Sequence, residues 1–412
     1  MARVLAYTSP ARGHLFPLAA PLLELRARGH EVSVRTLASQ VEPMRALGFD
    51  AAPIDAGIEA IEHDDHAAKS QQDALRRSTA VFARRAALEV PDVQAAIAAE
   101  RPDALIVDTN TWGAAAAAAA WGGPWASFQP FPLPVGGPGI PPFGPGLAPA
   151  GGLVGRIRDA ALRPILVGVL ERTNLPPVNR IRADLGLAPV RSVDELYGAA
   201  PLVLYFTAEP FEYHRATWPA NVVLTGPMAW DPPAEAPAWL AGIDRPIVLV
   251  TTSSEFLDDG RLIATAFEAL RDEDVFVVAT LPAGDPAGFR VPANARLERF
   301  VPHSAVLPRA VVAVTHGGMG ATQKALSFGV PVCAVPFGRD QLEVARRVEV
   351  AGAGSRLPAS KLSPEALLAA VRAARSRGEG ARRVAEGYRR AGGAAAAADA
   401  VEQRLLGALP LA

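Results

Sequence analysis

Cysteine is nearly missing from this chain of 412 residues: Cys333 stands alone, inside the apolar run Val330-Pro331-Val332-Cys333-Ala334-Val335. That excludes an internal disulfide and any cysteine-built zinc site, and it fits a reducing compartment. Cys333 itself reads as a small core residue. Long apolar runs are missing too, since no stretch reaches the ~18 residues a membrane span requires. The N-terminal run is too short for a signal-peptide core and is broken by Pro10, so a cytoplasmic location is expected. Charge of one sign is also lacking. Lys plus Arg number 41 against 42 Asp plus Glu, and no basic block occurs beyond arginine pairs near the C-terminus, which argues against nucleic acid as the main partner. The glycine fingerprint of dinucleotide binding is absent as well. After the first apolar run, Ser9-Pro10-Ala11-Arg12-Gly13-His14 carries one glycine where that fingerprint needs three, and an NAD enzyme is disfavoured.

What is present is enough for two cores. Half the residues are apolar, and a chain of this length usually divides into domains of roughly 200 residues. Strands and helices alternate from Val4–Thr8 through the helix 15–28, then 31–36, 104–107 and 125–128, which implies a parallel sheet covered by helices. Residues 64–100 read as one or two surface helices. The alanine-rich runs 114–120 and 394–398 keep helical periodicity and read as tightly packed helices. The pattern restarts at Ile247–Thr251, with a helix over 260–271 and a strand over 275–280. A proline-rich boundary separates the halves, giving a first domain over 1–207, a linker over 208–237 and a second domain over 238–392. The last helix, 393–412, is expected to pack back on the first domain.

The segment 129–152 is rich in proline and glycine and too long for an ordinary connection. It also carries Phe131, Leu133, Ile140, Phe143 and Leu147, more large apolar groups than a solvated linker holds. A functional loop is expected there, and Trp112, Phe128, Phe131 and Phe143 become candidates for the wall of an apolar acceptor pocket. For Phe128, ordinary core packing is an equal alternative.

Two constellations carry chemistry. In the second half, the strand 311–315 runs into His316-Gly317-Gly318, and a helix over Met319–Phe328 follows. A glycine turn at a helix N-terminus offers unpaired N–H groups and the positive end of the helix dipole to an anion, and His316 adds a donor. A strand over 331–335 then leads to Asp340-Gln341, where an open α/β sheet places ligand groups, and a carboxylate beside an amide suits sugar hydroxyls. In the first half, His14 follows one strand and Asp108 ends another, so the two can meet at one rim. A histidine backed by a carboxylate can take a proton near neutral pH. Asp108 can equally cap the helix that begins near Trp112, and both roles can hold at once.

These residues resemble a known family. Thr315 to Val332 (THGGMGATQKALSFGVPV), the following PFGRDQ, and the amino-terminal RGHLFP are similar to the GT-B fold glycosyltransferases of the UDP-glycosyltransferase superfamily, especially bacterial enzymes that glycosylate polyketide, enediyne and macrolide natural products. The resemblance spans nearly the whole chain. It implies an α/β protein of two Rossmann-like domains facing each other across a cleft, with His14 as general base and Asp108 as its orienting partner. It implies a diphosphate held by His316, Gly317, Gly318 and the backbone of Gly320, Ala321 and Thr322, with donor sugar hydroxyls on Asp340 and Gln341. By the same resemblance, Phe300 and the backbone of Val301 meet the nucleobase, the hydroxyls of Ser253 and Ser254 lie near the phosphates, and Gly13 borders the acceptor. Lys324 departs from the pattern, standing where many relatives have a glutamate on the ribose, and Ala321 replaces a phosphate-binding serine.

The expected reaction is inverting and metal-independent, with no cofactor. A nucleotide diphosphate sugar, built on thymidine or uridine, is the co-substrate and a hydrophobic aglycone the acceptor, with no membrane insertion and a monomer or homodimer as the expected state. A sugar-nucleotide 2-epimerase and a non-catalytic nucleotide-sugar-binding partner are the competing readings. Asp272-Glu273-Asp274 reads as a solvated turn, and His63-Asp64-Asp65-His66 as an acidic loop facing water.

Overall fold

A computed structural model of the chain describes residues 1–254 and 259–407, with the side chain of His66 excepted. Among the described residues two parallel sheets account for all the strands. The first holds β1 (Arg3–Tyr7), β2 (Glu31–Thr36), β3 (Asp50–Pro53), β4 (Ala104–Asp108), β5 (Trp125–Gln129), β6 (Leu202–Tyr205) and β7 (Val222–Leu224), in the order β3-β2-β1-β4-β5-β6-β7. The second holds β8 (Ile247–Thr251), β9 (Phe276–Thr280), β10 (Ala295–Glu298), β11 (Ala310–Thr315), β12 (Val332–Ala334) and β13 (Gly354–Arg356), in the order β10-β9-β8-β11-β12-β13. Strand order reverses between β1 and β4 in one sheet and between β8 and β11 in the other. The carboxyl ends of those strands flank the crevice where such sheets bind ligands.

Central strands read as unbroken apolar runs because helices cover both faces, as Leu105, Ile106 and Val107 illustrate by being fully buried. The helix Gln71–Glu100 was expected at the surface. Instead it buries Arg85, Ala86, Glu89 and Val93 against the helix Trp112–Trp121. Small residues permit this approach: a Cβ on Gly113 would lie 2.1 Å from the carbonyl oxygen of Ala86, so any side chain there pushes the two helices apart. Glu89 reaches across and accepts from Gly113 N–H at 2.8 Å, one of the orphan donors of that helix start.

Val222–Leu224 lies within the segment expected as linker, yet it forms the edge of the first sheet against β6. Ala208 and Phe211, from the same segment, belong to the core of the second sheet. The helix Gly393–Val401 packs on the helix Arg12–Ala27 and places Ala397, Ala398 and Val401 in the first core. Arg28 fastens it through Asp399 at 2.6 Å and Glu402 at 2.7 Å. The chain thus crosses between the two cores more than twice, and the passage at Gly226 touches the one at Ala391–Gly393. A Cβ on Gly226 would meet Ala391 Cβ at 3.1 Å, and Gly226, Gly392 and Gly393 all have positive φ. No described helix is long and apolar enough to cross a membrane.

Candidate active site

The structure brings His14 and Asp108 together from sequence positions 94 apart. Asp108 ends β4, and His14 lies in the first turn of the helix that follows β1, so parallel pairing of β1 with β4 sets both at one rim. His14 Nδ1 is 2.8 Å from Asp108 Oδ1. The fully buried carboxylate also accepts from Ser9 N–H at 3.1 Å, the Ser9 hydroxyl, and Asn110 N–H at 3.0 Å. Burial opposes its charge, but His14 and these donors outweigh burial and hold its pKa below the usual carboxylate value. A carboxylate that accepts from Nδ1–H leaves Nε2 as the acceptor nitrogen. Phe131, from the long loop, has its ring centroid 5.8 Å from that of His14. A basic nitrogen beside an apolar wall is therefore the chemical content of this half.

In the second domain, β11 delivers His316, and Gly317 (φ 86°) turns the chain into the helix Met319–Ser327. The positive φ requires glycine there, and a Cβ would press on Gln341 at 3.1 Å. The N–H groups of Met319, Gly320 and Ala321, in the first helical turn, have no acceptor within the helix. Thr322 does not join them. Its N–H already donates to the Gly318 carbonyl at 3.1 Å and its buried hydroxyl meets that of Thr315 at 3.0 Å, because it is the fourth helical residue. His316 is 8% exposed, and burial drives its pKa down to about 4. At neutral pH the ring therefore carries no charge. Thr251 Oγ1, buried at the end of β8, has no hydrogen-bond partner among the described residues; its place at a switch-point strand end was the signal in the sequence.

Asp340 is the N-cap of the helix Gln341–Val350, and burial raises its pKa, with His14 and Arg339 close enough to work against that shift. Asp340 thus stands within electrostatic reach of His14 across the cleft. Gln341 is more committed than expected. Its Oε1 accepts from Phe337 N–H at 2.7 Å and Gly338 N–H at 3.1 Å, leaving the amide NH2 for a ligand. Ser253 is nearly buried with its N–H on Asp259 at 2.6 Å. Ser254 is exposed and faces the other domain, its Oγ 3.5 Å from where a Cβ on Gly13 would be. Phe300 is half exposed and Val301 is core.

Three expectations are corrected. Phe128 is fully buried and stacks on Phe206 at 5.6 Å within the first core, so it is packing rather than pocket wall. Trp112 is 6% exposed, with its ring 5.3 Å from Phe82 in a cluster with Ala86 and Val178, and packs likewise. In the acidic loop, Asp65 does not face water. It is buried and holds Arg339 with two parallel contacts, Nε to Oδ2 at 2.7 Å and Nη2 to Oδ1 at 2.8 Å, a fork geometry that gives direction as well as attraction. Lys324 also gains an explanation. Its ammonium pairs with Asp231 and donates to the Trp230 carbonyl at 2.7 Å, so it secures the segment that leads from β7 to β8, while Asp231 accepts from Ser304 N–H at 2.9 Å.

Comparison with known proteins agrees with this geometry. Residues 264–399 match the erythromycin biosynthesis protein CIII-like, C-terminal domain. The chain is 33% identical over 390 residues to a 4'-demethylrebeccamycin synthase of Lentzea aerocolonigenes, covering 90% of this chain and 91% of the relative. Its fold is similar to that of a calicheamicin glycosyltransferase (TM-score 0.72, 22% identity, all of both chains covered). It is also similar to a Streptomyces sp. SF2575 glycosyltransferase solved with thymidine diphosphate (TM-score 0.69, 20% identity, 98% and 100% covered). The epimerase reading is set aside. With two parallel-sheet domains facing across a cleft and a full-length relative in hand, the chain belongs to the natural-product glycosyltransferases of the GT-B fold, which transfer sugars from nucleotide sugars.

Proposed function

We propose that this glycosyltransferase moves a sugar from a thymidine or uridine diphosphate sugar to a hydroxyl of a hydrophobic aglycone, with inversion and without a metal. The observation that carries the reading is the His14–Asp108 pair at 2.8 Å, set beside Phe131. His14 Nε2 takes the proton of the acceptor hydroxyl as its oxygen attacks the anomeric carbon. The new glycosidic C–O bond forms as the bond to the diphosphate oxygen breaks, and that electron pair leaves with the nucleotide. Asp108 stabilises the imidazolium that results. One displacement from the face opposite the leaving group inverts the anomeric centre.

The departing diphosphate develops charge at the N-terminus of Met319–Ser327, where preorganised N–H donors meet it without a metal ion. Asp340 and the amide NH2 of Gln341 bind the donor sugar, while Phe131, Phe143 and their loop meet the aglycone. The thymidine diphosphate bound by one structural relative favours thymidine among the two bases.

Proton NMR of the product tests the stereochemistry, since an inverted anomeric coupling is expected and a retained one would rule out single displacement. Full activity in excess EDTA is expected. Asp340→Ala should weaken the nucleotide sugar roughly tenfold, the loss of about one charged hydrogen bond, while free nucleotide diphosphate binds as before. Calorimetry finding both ligands unaffected would remove Asp340 from the sugar site.

A further inference from the structure

Gly144 and Gly146 have φ values of 129° and 64°. Positive φ at both glycines, on either side of Pro145, lets the backbone turn both N–H groups toward one place. The anion they meet belongs to the other domain. Glu343 Oε1 accepts from Gly144 N–H at 2.8 Å and from Gly146 N–H at 3.0 Å. Arg346 Nε donates to the carbonyl of Gly146 at 2.7 Å, so one helix grips both polar groups of that glycine. The contact is close enough that a Cβ on Gly146 would lie 2.3 Å from the carbonyl oxygen of Leu342.

Glu343 is 3% exposed, and its second oxygen meets Arg347 Nη1 at 3.0 Å. Arg347 continues to Glu212 at 2.9 Å. Glu212 accepts from the Tyr205 hydroxyl, whose oxygen accepts from Leu133 N–H at 3.0 Å. The loop 129–152 is therefore fastened near its start, at Leu133, and near its end, at Gly144 and Gly146, to one buried charged network. Phe143 lies beside one fastening and Phe131 beside the other. The helix that holds the loop is the one that Asp340 caps and Gln341 begins.

We infer that Glu343 is a positioning residue for the acceptor: it latches the loop of the first domain onto the sugar-side helix of the second, so the acceptor wall is assembled only where the donor site is also formed. This rests on the reading of 129–152 as the acceptor side. Glu343 acts through loop amides and not on the reacting atoms, so it sets acceptor affinity and register. Losing it leaves the Gly144 N–H and the buried Gly146 N–H without a charged acceptor.

The test compares Glu343→Gln with Gly146→Ala, which undocks the loop without altering any charge, in the full chain. With thymidine diphosphoglucose as donor and 4-methylumbelliferone as acceptor probe, each variant should raise the acceptor KM about tenfold, the worth of a charge-assisted hydrogen bond. The kcat and the affinity for thymidine diphosphate, read by calorimetry, should stay within about threefold. Amide exchange followed by mass spectrometry should quicken about tenfold or more over 140–150 and not over 1–128. Exchange unaltered over 140–150 in both variants overturns the latch, as does nucleotide affinity that falls in step with acceptor affinity. If the wild-type protein glycosylates no hydroxylated probe, the proposed reaction fails while the exchange comparison still decides the latch.

Discussion

The molecule holds two histidines in matching places, each just past a strand beside the point where its sheet reverses order, yet they are built for opposite work. Behind His14 stands a buried carboxylate that the fold keeps charged with three further donors. Beside His316 stand a carbonyl, Thr251 O at 3.5 Å, and the positive charge of Arg339, both in a buried surrounding that holds its pKa near 4. The first ring is equipped to gain a proton during a reaction. The second is equipped to stay neutral beside an anion. What stands behind an imidazole, more than its position on a strand end, decides its chemistry.

The largest break in this contrast is His14→Ala. Transfer should fall about 10³-fold, the typical worth of a general base, with nucleotide affinity unchanged; a variant as active as the wild type would sink the base assignment. Asp108→Asn should come next. It keeps the shape but no longer favours Nδ1–H or the imidazolium, and kcat should drop about 10²-fold. Unaltered kcat would leave Asp108 as a carboxylate that only braces the turn through Ser9 and Asn110. His316→Gln probes the other ring and should cost roughly tenfold in donor affinity, one hydrogen bond to an anion, with little loss of kcat at saturating donor.

The same variant offers a smaller, sharper reading through stability. The folded pKa of His316 near 4 lies below the unfolded value near 6.5, so between those values the unfolded chain binds more protons. Stability then falls as pH drops through that window. At pH 5 the burden is about 2 kcal/mol, and His316→Gln should remove it. Thermal melts at pH 7 and pH 5 check this: equal acid sensitivity in both proteins would show that His316 is not held neutral by the fold.

Much of the site was legible because its logic is local. Strand, glycine turn and helix follow one another within 315–327, and the convergence of His14 with Asp108 follows from parallel neighbours ending at one rim. Thr322 is excluded by counting helical positions, since the N–H of the fourth residue after the cap donates to the cap carbonyl. Phe128 lay beyond reach for a different reason. A strand covered on both faces is apolar throughout, so alternation does not tell the core face from the cleft face. Asp65 with Arg339, and Glu343 with Gly144, escaped notice because the partners are 274 and 199 residues apart on different domains. An acidic loop that meets an arginine of the facing domain looks, in sequence, like one that meets water. Lys324 broke the family pattern because its charge is answered by Asp231, from the segment that leads from β7 to β8.

The contact between the interdomain passages at Gly226 and Ala391 bears on how the enzyme turns over. Covalent passages that lie side by side at one edge offer a common pivot. They permit the domains to rotate about that point and oppose sliding of one past the other. Any swing about the three left-handed glycines would have to part the bidentate clasp of Asp65 on Arg339. With Asp65 buried, salt screens that clasp far less than it would an exposed pair.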